Sequence, residues 1–211
     1  MALYDVKPRF RALLSGLVPI LRPIPADWIT MAGLLCSVVA AWLFQSADRL
    51  RWPFLLIPLL LLARITLNAL DGMVAQATGT ARPFGEVLNE VTDRLSDIFI
   101  LLGIAISPLS SLAWGTAATV AVLLSSYVGI LGKAVGAGRQ YGGVLGKADR
   151  MLYLGLVCVA AYFLGNPVLA RPDGVPLTLF DALLGAFAAL ALLTALQRVR
   201  MIHDVLREKR A

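Results

Sequence analysis

Read for its apolar and polar positions, the chain falls into one short amphipathic segment and six long apolar runs. Between residues 5 and 25, Phe10, Leu13, Leu14, Leu17, Val18 and Leu21 recur at spacings of three and four, with Lys7, Arg9, Arg11 and Arg22 among them. That period predicts a helix with one apolar face, and its basic residues predict that it lies on a membrane surface. Pro23 and Pro25 end it. The runs near 28–45, 52–75, 86–106, 112–132, 151–166 and 178–197 are close to the about 18–20 residues that cross a bilayer. In hydrocarbon each backbone N–H and C=O must be satisfied within its own segment, so such runs are helices. The expected fold is all-α and integral to the membrane, in one domain over 1–211. Six transmembrane helices over 28–197 are preceded by an N-terminal amphipathic interfacial helix over 5–25 and followed by a basic tail over 198–211.

Composition supports this and narrows the function. Of 211 residues, 59% are hydrophobic and 15% charged, well beyond a soluble average, and no length is left for a separate soluble domain. Six spans put the N-terminus, the 75–85 loop, the 133–150 loop and the C-terminus on one side, with fourteen Lys and Arg there against three opposite. The positive-inside rule makes that side cytoplasmic, and the expected location is the cell's inner membrane. The net charge of +6 then reflects topology and contact with anionic lipid, not nucleic-acid binding. Cys36 and Cys158 sit in apolar runs without metal or redox spacing, and His203 falls in the basic tail. The leader lacks the order of a cleaved signal, so the first span is expected to be retained.

One stretch breaks the apolar pattern. From Asn68 to Asp97, acidic and amide residues recur at helical spacing, and such groups at membrane depth mark functional sites. Asn68, Asp71, Gly72 and Ala75 share one face of the second span. On the third span, Glu86, Glu90, Asp93 and Asp97 cluster within about 60° of one another at ~100° per residue, with Asn89 at the edge. Four like charges on one face need a positive partner, either a divalent cation or arginines such as Arg64, Arg82 and Arg94. An all-oxygen donor set suits a hard cation such as Mg²⁺ and argues against zinc or copper. Salt bridging alone is the structural alternative, and it leaves the small-residue face unexplained. In the 133–150 loop, Arg139, Lys147 and Arg150 are candidate phosphate or acceptor ligands, or else only topology-setting charges.

These residues resemble the motif of the CDP-alcohol phosphotransferase family, D-x2-D-G-x2-A-R-x8-G-x3-D-x3-D. Laid on the chain without gaps, the motif falls on Asn68, Asp71, Gly72, Ala75, Gln76, Gly85, Asn89 and Asp93, matching in spacing at eight positions and in identity at five. Thr30 in PADWIT resembles the family's P-N-x-[LI]-T element, and Lys147 in LGKADR its G-K element. The pairs N-x2-D-G and L-N-E-x2-D resemble a bacterial branch of the family.

The resemblance implies a divalent metal centre, Mg²⁺ or Mn²⁺, on Asn68, Asp71, Asn89 and Asp93, with Glu90 or Asp97 as replacement charge. It implies a nucleotide site at Asp71, Gly72, Ala75, Gln76, Gly85 and Thr30, and a catalytic base at Asp93. The implied reaction moves a phosphatidyl or other substituted phosphoryl group from a CDP-linked donor, such as CDP-diacylglycerol, to an alcohol acceptor, releasing CMP in phospholipid synthesis. A homodimer is also implied. Asn68, Asn89 and Gln76 depart from the pattern, removing two ligand charges and one cation. They leave open a non-catalytic relative that binds a CDP-lipid or a partner membrane protein. A solute transporter would need polar side chains in the far halves of the spans, which have almost none.

Overall fold

The computed structural model describes residues 7–209, with side chains from residue 10 onward. Residues 5 and 6 of the expected interfacial helix and residues 210 and 211 of the tail lie outside the described residues. The expected helix over 5–25 is broken into α1 (Lys7–Leu14), a 3₁₀ turn (Ser15–Leu17) and α2 (Val18–Leu21). Gly16 and Pro19 account for the break: glycine weakens the helix, and the proline ring lacks an N–H and clashes with the carbonyl four residues back. The apolar positions still share a face. Leu14 is buried with Ile29, Leu70 and Val74, and Phe10, Val18 and Leu21 pack around them.

Each of the six apolar runs forms one helix: α3 (Ala26–Leu50), α4 (Pro53–Ala77), α5 (Pro83–Ala105), α6 (Leu112–Ala134), α7 (Lys147–Leu164) and α8 (Leu179–Glu208). Four of them, α3, α4, α6 and α8, are long and apolar enough to cross a membrane. In α5 the first two thirds carry Glu86, Glu90, Asp93, Arg94 and Asp97, and α7 opens on Lys147, Asp149 and Arg150. These charges keep both helices below the apolar content of the other four. The basic tail expected from residue 198 is not a separate segment, because α8 continues to Glu208. Ile202, Val205 and Leu206, half-buried at helical spacing, extend its packed face. One element departs from the all-α expectation: strands Val168–Ala170 and Leu177–Thr178 pair antiparallel between α7 and α8.

Helix α3 packs on α4 and α5, α4 on α7, α5 on α6, and α6 on α8. The core includes Phe44, Phe54 and Phe180, with the Phe54 and Phe180 rings stacked at 5.8 Å. Without a hydrophobic force between helices in lipid, close packing depends on small residues. At Gly103 an added Cβ would lie 2.7 Å from Ala41 Cβ, and the Gly103 carbonyl accepts from Gln45 Nε2 at 2.8 Å. The antiparallel order brings the ends of α4, α6 and α8 and the starts of α3, α5 and α7 to one pole of the bundle, beneath α1.

Gly103→Val should force α3 from α5 and destabilise the fold by about 1–3 kcal/mol, seen as a lower thermal unfolding midpoint in detergent. Gly16→Ala, with no neighbour within 4 Å of an added Cβ, should leave that midpoint within error.

Candidate active site

At that pole lies a cavity of about 790 Å³. Asn68, Asp71, Gly72 and Gln76 from α4, Asn89, Asp93 and Arg94 from α5, and Lys147 from α7 form its polar end. Pro58, Leu61, Leu62 and Ile65 of α4 face Leu152, Leu156 and Val159 of α7 along its apolar side. Leu62 and Leu156 are more than half exposed, so this wall opens towards the outside of the bundle. At Gly72 an added Cβ would meet nothing within 4 Å. The backbone there borders open cavity, and any side chain would occupy ligand space.

A continuous set of hydrogen bonds joins the motif residues. The Asp71 carboxylate accepts from Thr30 Oγ1 at 2.7 Å, from the Gly72 N–H at 2.6 Å and from Asn89 Nδ2 at 2.7 Å. Asn68 Nδ2 donates to Asn89 Oδ1 at 3.2 Å and to Asp93 Oδ1 at 3.1 Å. Lys147 Nζ donates to Asn68 Oδ1 at 2.7 Å and to Asp93 Oδ1. Thr30 thus belongs to the site by holding Asp71. Ala75 and Gly85 do not line the cavity.

The four acids of α5 share a face, yet each finds its own cation. Asp97, 1% exposed, lies between Arg64 at 3.2 Å and Arg150 at 2.8 Å. Glu90 pairs with Arg139 at 2.5 Å and Arg94 at 3.5 Å, and Glu86 with Lys133 at 2.6 Å. Glu90 and Asp97 are therefore committed to arginines and are not turned into the Asn68–Asp93 set, so the expectation that either supplies a missing ligand charge is not carried forward. Arg150 lines the cavity but is 3% exposed, and its guanidinium is already bonded to Asp97. Arg82 pairs with Asp27 at the surface, away from the acids it was expected to offset.

Sequence reasoning missed Arg94 and Arg198 as cavity residues, whereas Arg64, one of the arginines it offered to offset the acids, pairs with Asp97. Arg198 donates to the carbonyls of Gly142, Ser125 and Tyr141 at 2.9, 2.6 and 3.3 Å. Gly129 makes this approach possible, since an added Cβ would lie 2.7 Å from the Gln140 carbonyl and 3.1 Å from Arg198 Nη1. The spacing of Phe187, Ala191, Thr194 and Arg198 would have placed Arg198 on the buried face, had the helix been extended past residue 197.

Residues 24–202 match the family model of CDP-alcohol phosphatidyltransferases. The chain belongs to the CDP-alcohol phosphatidyltransferase family. It is 35% identical to the inner membrane protein YnbA of Escherichia coli over 77% of this chain and 82% of that protein. To an archaetidylinositol phosphate synthase of Methanothermobacter thermautotrophicus it is 29% identical, over 83% of this chain and 82% of that enzyme. Its fold resembles the phosphatidylinositol phosphate synthase of Mycobacterium tuberculosis with CDP-DAG bound, with a TM-score of 0.65 and 20% identity over 92% of both chains. The same enzyme in complex with manganese and citrate gives a TM-score of 0.66 at 21% identity, over 92% of this chain and 88% of that one. Family membership makes the protein a membrane transferase of phospholipid synthesis. It moves a phosphatidyl or other substituted phosphoryl group from a CDP-linked donor to an alcohol. The family is divalent-metal dependent.

Removing one partner of a buried ion pair costs about 3–5 kcal/mol. Asp97→Asn should therefore lower the thermal unfolding midpoint strongly while leaving Mn²⁺ affinity of the folded fraction unchanged. A metal ligand would behave the other way, with affinity lost and stability retained.

Proposed function

We propose that the cavity is the active site, and that its acceptor is an alcohol bearing a phosphate group. The observation that carries this is the cavity's division into an apolar wall between α4 and α7 and a polar end rich in arginine and lysine. A CDP-linked lipid has the matching division: acyl chains for the wall, and a nucleoside diphosphate for the polar end at Gly72. Exposure of Leu62 and Leu156 fits sideways loading of the chains from the bilayer. Arg198 spends its donors on backbone carbonyls and makes no carboxylate ion pair among the described residues. Arg139 stands over the Tyr141 ring at 4.7 Å. Guanidinium groups match phosphate oxygens in fork geometry, and these two face the cavity from outside the donor end. The archaeal and mycobacterial relatives named as inositol phosphate synthases make a phosphorylated polyol the first candidate.

The donor set suits the family's metal: its atoms are all oxygens, it contains two carboxylates, and the glycine beside Asp71 leaves space. Asp71 and Asp93 would hold Mg²⁺ or Mn²⁺, which supplies Lewis-acid charge to phosphoryl oxygens when bound. Asp93, at the junction of α5 with α4 and α7, is placed to take the acceptor hydroxyl proton. Thr30 and the Gly72 N–H fix the Asp71 carboxylate, and Gln76 lines the nucleotide side.

All six long helices are taken to span the membrane, with the site at the cytoplasmic pole of the inner membrane and both termini on that side. At about 1.5 Å per residue, α5 and α7 reach roughly 34 and 27 Å, close to the about 30 Å hydrocarbon core. The charges of α7 sit at the pole, and those of α5 run past its midpoint to Asp97, where Arg64 and Arg150 match them. A homodimer is part of the same reading.

Purified protein given CDP-diacylglycerol, Mg²⁺ or Mn²⁺ and a panel of free and phosphorylated polyols should release CMP with a phosphorylated one. CDP-lipid binding without CMP from any acceptor would instead favour the non-catalytic reading. Asp93→Asn should cut CMP release by about 10²-fold or more with the fold intact. Arg198→Ala should raise the KM for the acceptor tenfold or more and leave the KM for the donor unchanged.

A further inference from the structure

We propose that Lys147 is a built-in cation of the site, standing where further metal charge would otherwise be required, so that the chain holds one divalent ion and not two. The inference rests on the active-site reading above and deepens it. An ammonium can only donate, so Lys147 Nζ at 2.7 Å fixes the orientation of Asn68: its Oδ1 faces the lysine and its Nδ2 faces away. Asn68 Nδ2 must then find acceptors, and it reaches Asn89 Oδ1 at 3.2 Å and Asp93 Oδ1 at 3.1 Å. Asn89 in turn shows its Nδ2 to Asp71 Oδ2 at 2.7 Å. One cation thereby sets the polarity of the whole chain from Lys147 to Asp71.

Carboxylates at positions 68 and 89 could not take these places. Oxygens of like charge about 3 Å apart repel, and only cations between them would hold the arrangement. With four carboxylates, all of them acceptor-only, the site would call for two divalent ions; with Asp71 and Asp93 alone it balances one. Asn68 has given its carbonyl to Lys147, so it is a linker and not a ligand. The open cavity beside Gly72 puts the ion at the Asp71 end.

The position of Lys147 is otherwise unfavourable. It is the first residue of α7, where the helix dipole disfavours a cation. Asp149 and Gly146 already cap this end, the Gly146 N–H donating to the Asp149 carboxylate at 2.7 Å. The ammonium is therefore not needed to cap the helix. It is held by Asp93, to which it bonds directly.

Mn²⁺ titration of the purified full chain, followed by electron paramagnetic resonance, counts bound ions without reference to turnover. Wild type should bind one Mn²⁺ per chain. Lys147→Met should tighten that ion tenfold or more by removing a neighbouring like charge, while Lys147→Arg should keep wild-type affinity. Adding Asn68→Asp and Asn89→Asp to Lys147→Met should admit a second ion, seen as spin coupling between two Mn²⁺. Two ions in wild type, no ion in wild type, or unchanged affinity in Lys147→Met would each overturn the proposal. Should Lys147→Met fail to fold, the wild-type count and the Lys147→Arg affinity still decide. CMP release by wild type tests the active-site reading separately, whatever the ion count.

Discussion

Arg64 is the largest fully buried side chain among the described residues, 1% exposed in the middle of an apolar helix. Its guanidinium reaches the Asp97 carboxylate at 3.2 Å and the Asp93 carbonyl at 3.2 Å, with Met151 Sδ at 3.2 Å on another side. Those contacts tie α4 to α5 and to α7, the three helices that supply the polar end of the cavity. A buried charge pair is weak support for stability, because desolvation offsets most of the attraction, and an apolar replacement of equal volume is often neutral. What the Arg64–Asp97–Arg150 group contributes is register. Helices free to slide in lipid have few directional contacts, and this one sets the rotation of α5 so that Asp93, one turn from Asp97, meets Asn68 and Lys147.

The same constraint explains the polar pole as a whole. Acids of α5 at positions 86, 90, 93 and 97 point within one sector, yet they meet Lys133, Arg139, Lys147 and Arg150 from α6, its following loop and α7. Each pairing joins residues about fifty apart in the chain. The acidic face is thus matched cation by cation, and only the Asp71–Asp93 portion borders the cavity. Charge that would be costly in a bilayer is paired all the way from the pole beneath α1 and α2 to Arg64 and Asp97 near the midpoints of α4 and α5.

How far the sequence could be read follows from the range of each interaction. Helices set by apolar runs and ended by prolines were legible, because those signals are local: Pro25 precedes α3, Pro53 opens α4 and Pro83 opens α5. The eight-position motif was legible too, since its two halves lie on adjacent helices joined by one short loop. The Gly16 and Pro19 break and the extension of α8 were local but outweighed by basic residues read as surface or tail. Which carboxylate meets which cation was not legible, because it depends on helix rotation. Glu90 and Asp97 were on the right face for metal binding and were taken by Arg139, Arg64 and Arg150. The contact of Lys147 with Asn68 spans 79 residues of sequence and was not legible either.

The two asparagines change what the site can do more than their neutral charge suggests. Aspartate accepts hydrogen bonds only, whereas an amide both donates and accepts. Substitution at 68 and 89 therefore turns two groups that must be bridged by cations into two that bridge one another. Such a site is ordered by its own hydrogen bonds and carries excess positive charge around the cavity, because Arg94 and Arg139 share Glu90 and Arg198 bonds backbone carbonyls. Excess positive charge favours an anionic diphosphate and an anionic acceptor, and it opposes loading with several divalent ions. On the proposed reading, donor binding depends less on metal and more on arginine and lysine.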